Sequence, residues 1–99
     1  MIYLSKERIH ISTLARFCGI VICIYFLGSE HNSPHIHTIY SEDTAAFDSN
    51  SGEEIDGSLP TRAAGMVHEW IEIHQTELLE MWETQEFKKI DPLTKGGRL

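Results

Sequence analysis

Between Phe17 and Leu27 the chain runs through eleven residues without a charge, Phe-Cys-Gly-Ile-Val-Ile-Cys-Ile-Tyr-Phe-Leu. The run is rich in β-branched and aromatic side chains, and it has apolar residues at both odd and even positions. That pattern predicts a strand that is central in its sheet or covered on both faces. Gly28, Ser29, Asn32, Ser33 and Pro34 then form a turn over 28–34. A second strand is expected over 35–41, His-Ile-His-Thr-Ile-Tyr-Ser, with Ser41-Glu42-Asp43 as a tight connection. Thr44 to Asp48 reads as a third strand. Asn50-Ser51-Gly52 is a turn signal, and Glu53 to Ile55 reads as a short fourth strand that Asp56-Gly57 closes. Links this short between consecutive strands predict an antiparallel meander. Residues 1–12 show no clear period and are read as an irregular arm or a short extra strand.

The period changes after Pro60, a favoured first-turn residue, with Ser58 as a candidate cap. Ala63, Met66, Val67, Trp70, Ile71 and His74 fall on one side at helical spacing. Carrying the same helix onward puts Glu77 on the apolar side and Leu79 off it. A break near Gln75 removes both faults, with Thr76 capping a second helix whose apolar face holds Leu78, Leu79, Met81 and Trp82. The expectation is two helices, 60–74 and 76–87, burying Val67, Trp70 and Leu78 against the sheet. Pro92 and Gly96-Gly97 discourage helix in the tail. The fold class predicted is α+β: an antiparallel meander of three to four strands, then two helices packed on one face. The domain reading is an arm over 1–12, a single domain over 13–92 and a tail over 93–99.

At 99 residues the chain fits one domain. Its net charge of −7 argues against sequence-independent nucleic-acid binding and against docking on anionic membrane, both of which need a basic footprint. Nucleic acid stays open only as a target. The charge is uneven. Lys6, Arg8 and Arg16 face only Glu7 and Glu30 in residues 1–40, and the acidic residues concentrate in 42–56 and 68–86. An acidic helix face is a solvated face. Lys6 and Arg8 before the run 17–27 resemble the start of a signal peptide. The run is too short to span a bilayer and no small-residue cleavage site follows, so the expected compartment is the cytoplasm. Cys18 and Cys23 are five apart, hence on opposite faces of one strand and unable to bridge each other. They are read as small buried hydrophobes, free thiols in a reducing cytosol.

Glu30-His31-Asn32-Ser33-Pro34-His35-Ile36-His37 holds three of the six histidines. On a strand His35 and His37 share a face, with His31 in the turn beside them. The three have the right chemistry for a transition metal, but no fourth ligand is evident nearby. They could equally hold an anion, move a proton or make ordinary structural hydrogen bonds. His68 and His74 are six apart and so do not reproduce the zincin spacing of four; His74 reads as a core histidine. Arg16 and Arg62 stand in segments with few other charges. A guanidinium beside histidines suits phosphate or carboxylate, and the alternative is pairing with one of the acidic side chains. Neither a phosphate loop nor a nucleophile elbow is present, and no cofactor is expected.

The segments ARFCGIVICIYF, EHNSPHIHTIY and AAFDSNSGEEIDGSLPTRAAGMVHEWIEIHQTELLEMW together resemble the bacterial domain-of-unknown-function family 4160, from about Thr13 to Pro92. Here a single proline, Pro34, follows Ser33 where the family turn often has two, and Cys23 stands where the family strand often carries a basic residue. The resemblance implies a small cytoplasmic bacterial protein, often encoded beside a family 2442 protein. It further implies the toxin-like role in a toxin–antitoxin pair, neutralised by that small partner. Carried over position by position, the characteristic polar residues are Arg16, His31, His35, His37 and Arg62, the candidate catalytic set. The resemblance supplies no reaction. From the residues themselves, a metal- or anion-binding enzyme built on His31, His35 and His37 and a non-catalytic binding module both remain open.

Overall fold

The computed structural model describes residues 10–26, 34–84 and 86–93. Among them the chain forms strands β1 (His10–Phe17), β2 (Ile20–Phe26), β3 (His35–Tyr40), β4 (Asp43–Asp48) and β5 (Glu54–Gly57), then helix α1 (Thr61–Thr84). The strands make one antiparallel sheet in the order β1-β2-β3-β4-β5. The α+β meander is therefore present, with five strands rather than three or four. β1 starts inside the segment read as an arm. The apolar run 17–27 is not one strand, because Cys18 and Gly19 both take positive φ (51° and 80°) and turn the chain between Phe17 and Ile20. Positive φ at both central residues gives the turn a twist that matches the flanking strands. Cys18 is consequently exposed in a turn, and only Cys23 is buried; both are free thiols.

The sheet has one covered face. Alternation turns Ile20, Ile22 and Ile24 of β2, Ile36 of β3 and Phe47 of β4 toward α1, which supplies Ala63, Val67, Trp70, Ile71, Leu78 and Met81. Trp70 is fully buried and stacks on Phe17 with ring centroids 6.3 Å apart. Val67 and Leu78 are buried beside it as expected. α1 is one helical span interrupted by non-helical backbone at His74 (φ −109°, ψ 20°), so the two expected segments meet at a kink rather than at a loop. The irregularity lies one residue before the expected break. It resolves the phase conflict at Glu77 without ending the helix, and Glu77 Oε1 sits 2.7 Å from His74 Nδ1.

A bulge between Thr13 and Ala15 leaves Leu14 outside the β1–β2 pairing. The Leu14 carbonyl accepts the Ile90 N–H (2.8 Å), and the Asp91 carbonyl accepts the Trp70 indole N–H (2.9 Å). The segment after α1 is thereby stitched to the sheet edge, with Ile90 and Leu93 buried. The β4–β5 turn is built locally. The Asp48 carboxylate accepts the N–H groups of Asn50 and Ser51, and Gly52 takes a φ of +78°. No described helix is long and apolar enough to cross a membrane.

Candidate functional site

The chemistry gathers on the sheet face opposite the apolar core. Inward Ile36 and Thr38 force His35, His37 and Ile39 to the opposite side of β3. The His35 and His37 rings meet edge to face, centroids 5.0 Å apart. This is the shared face expected of two strand histidines. The ring of Trp82, near the end of α1, reaches His35 at 5.1 Å.

Strand register extends the site sideways. Thr13 pairs with Cys23, Cys23 with His37, His37 with Ala46, and Ala46 with Asp56. Directly opposed residues of an antiparallel pair point to the same face, so these five form one row crossing all five strands. Arg16 lies in the adjacent row with Val21, Ile39 and Thr44.

The electrostatics follow the row. Burial pushes the Cys23 thiol up, while a hydrogen bond from the Thr13 hydroxyl and the positive charge of Arg16 pull it down. Burial holds His37 below the ordinary imidazole value. The neighbouring His35 adds to that, and the Asp56 carboxylate opposes it. Proton affinity on this face is thus set by groups from four strands. Between β3, β4 and β5 lies a cleft of about 400 Å³, floored by Ala45, Ala46 and Gly57 and bordered by His37 and Asp56.

The five residues singled out in the sequence are only partly brought together. His35, His37 and Arg16 share the open face. Arg62 is exposed in the first turn of α1, in the layer that covers the other face of the sheet. His31 lies outside the described residues. Among the described residues, no group of three or more His, Cys, Asp or Glu is placed to hold a metal ion. The structure adds Thr13, Cys23, Asp56 and Trp82, which no local motif marks. Cys23 carries one detectable signal: it occupies the face of β2 opposite Ile20, Ile22 and Ile24.

A five-stranded antiparallel meander with one kinked helix on a single face, and Arg16, Cys23, His35, His37 and Asp56 on the other, defines a small α+β domain. The chain belongs to the domain-of-unknown-function family DUF4160, which it matches over residues 19–83. No curated protein and no solved structure matches it.

Proposed function

We propose that this chain is the toxin-like component of a bacterial two-gene module, working in the cytoplasm and neutralised by a small partner protein of the family 2442 type. The open face of the sheet is its working surface. The observation that carries this reading is that His35 and His37 meet on the sheet face opposite the apolar core, where Trp82 of α1 touches His35 and Arg16 stands two strands away in the adjacent row. This face lies outside the apolar core, with His35 and His37 half-buried on it. Here it places two imidazoles in contact, tunes one of them through Asp56, and adds a guanidinium two strands away. Imidazoles change charge near neutral pH, so such a face can donate, accept or relay a proton. The small partner neutralises the chain by covering this face.

The test is expression in a bacterial host with and without the adjacent gene. Arrest of growth that the adjacent gene relieves, and that His35→Ala or His37→Ala abolishes, supports the assignment. Unimpaired growth at high expression sinks it.

A further inference from the structure

The register row places a thiol and an imidazole side by side. We infer that Cys23 and His37 form a nucleophile–base pair for attack on an activated carbonyl, in an ester or thioester substrate that enters through the cleft beside His37. The inference rests on the open face being the working surface and assigns it a reaction.

Cys23 and His37 are direct partners across β2 and β3, and both turn away from the apolar core. Opposed residues on one face have Cβ atoms about 5 Å apart. Each of the two has a support of its own. The Thr13 hydroxyl is hydrogen-bonded to the thiol, and the Arg16 charge favours its anionic form. Asp56 ends the same row beyond Ala46, whose small side chain leaves the space between Asp56 and His37 open as part of the cleft. The Asp56 carboxylate acts on His37 across that space, as a positioning residue that favours the protonated imidazole. Cys23 is only 5% exposed, and burial raises its thiol and lowers the His37 imidazole, so both shifts favour the neutral forms. That is the state from which a general base works.

The steps balance without a further co-reactant but water. His37 takes the thiol proton as the sulfur bonds to the carbonyl carbon, and Arg16 faces the negative charge that develops on the oxygen. The bond to the leaving group breaks, and the imidazolium returns the proton to that group. Water then gives a proton to His37 as its oxygen attacks the thioester. The carbon–sulfur bond breaks and the thiol recovers its proton, releasing the acid.

The experiment is alkylation of the full-length native protein with iodoacetamide from about pH 5 to pH 10, with each cysteine followed separately by peptide mass spectrometry. Cys18, exposed in the β1–β2 turn, is the internal reference. A thiol served by a base shows two inflections in its rate, one where the imidazole becomes neutral and one where the thiol ionises. A thiol without a base shows only the second. Cys23 is expected to show both. His37→Gln should remove the lower one and slow Cys23 alkylation near neutral pH by about tenfold or more, leaving Cys18 unchanged. Asp56→Asn should move the lower inflection to lower pH, a displacement that a purely structural role for Asp56 does not produce. p-Nitrophenyl acetate should then acetylate Cys23 in the native protein and not in His37→Gln. Circular dichroism and the Cys18 rate verify that each variant is folded. A native protein in which Cys18 reacts and Cys23 stays inert overturns the inference, as does a single inflection for Cys23. Neither result bears on growth arrest, so this reaction and the toxin-like role fail separately.

Discussion

His68 holds the β4–β5 turn against the helix through its contact with Gly52. Its Nδ1 lies 2.9 Å from the Gly52 carbonyl, and its Nε2 lies 3.1 Å from the Glu72 carboxylate one turn along. Gln75, two turns further, donates to the Ser49 carbonyl at 3.1 Å. A turn held from both ends fixes how β5 is presented, and with it Asp56 on the open face. The backbone of Gly52 is matched to this contact. A Cβ there would sit 2.6 Å from His68 Nδ1, on a residue whose φ is already +78°. Gly52→Ala should therefore lower stability by more than the roughly 1–2 kcal/mol of left-handed strain alone. Urea unfolding of the variant beside the parent measures it.

The same contact makes stability depend on pH. The Gly52 carbonyl raises the His68 pKa, desolvation opposes it, and Glu72 and Glu53 add to the increase. Only the protonated ring donates from both nitrogens. A folded-state value above the unfolded one gives stability that is complete below the unfolded pKa and is lost as pH rises through the folded one. The stability difference between the parent and His68→Gln should therefore shrink from mildly acid to mildly alkaline pH. A difference that grows over that range refutes the assignment.

His37 should behave in the opposite sense. Its folded value is depressed, so its contribution is present above the unfolded pKa and is lost as pH falls through the folded one. Proton NMR titration should place the His37 midpoint below that of His68. His35→Ala should raise the His37 midpoint, and Asp56→Asn should lower it.

Trp70 is the central core side chain, fully buried against Phe17 with its indole N–H bonded to the Asp91 carbonyl. Trp70→Ala should cost about 3–5 kcal/mol in denaturant unfolding. A loss below about 1 kcal/mol would place the core elsewhere.

His35 and His37 are half-buried and lie outside the apolar core. Substituting either by alanine should abolish growth arrest while the melting temperature stays within a few degrees of the parent. Unfolding of both variants would make the histidines structural.

Much of this molecule is written locally. The β3 and β4 strands, the Asn50-Ser51-Gly52 turn, the helix start after Pro60 and its buried stripe through Val67, Trp70 and Leu78 follow from side-chain period and turn chemistry. These act over a few residues. The shared face of His35 and His37 is legible for the same reason, since a strand repeats every two residues. The β1–β2 boundary is not legible, because an apolar run conceals a turn whose only marks are Cys18 and Gly19 in left-handed backbone. The helix kink belongs to packing: a local phase conflict at Glu77 can be met by ending a helix or by bending it. Trp70 before the kink and Leu78 and Met81 after it all join the same core, which holds both segments against the sheet. The row from Thr13 through Cys23, His37 and Ala46 to Asp56 is wholly tertiary. No motif links residues so far apart in sequence; strand register alone aligns them. A shift of one residue in any pairing would send the displaced side chains to the helix face. The sequence by itself determined which residue types were present and that two histidines would share a strand face. Register, a property of the whole sheet, decided that a cysteine and an aspartate lie in the same row as His37.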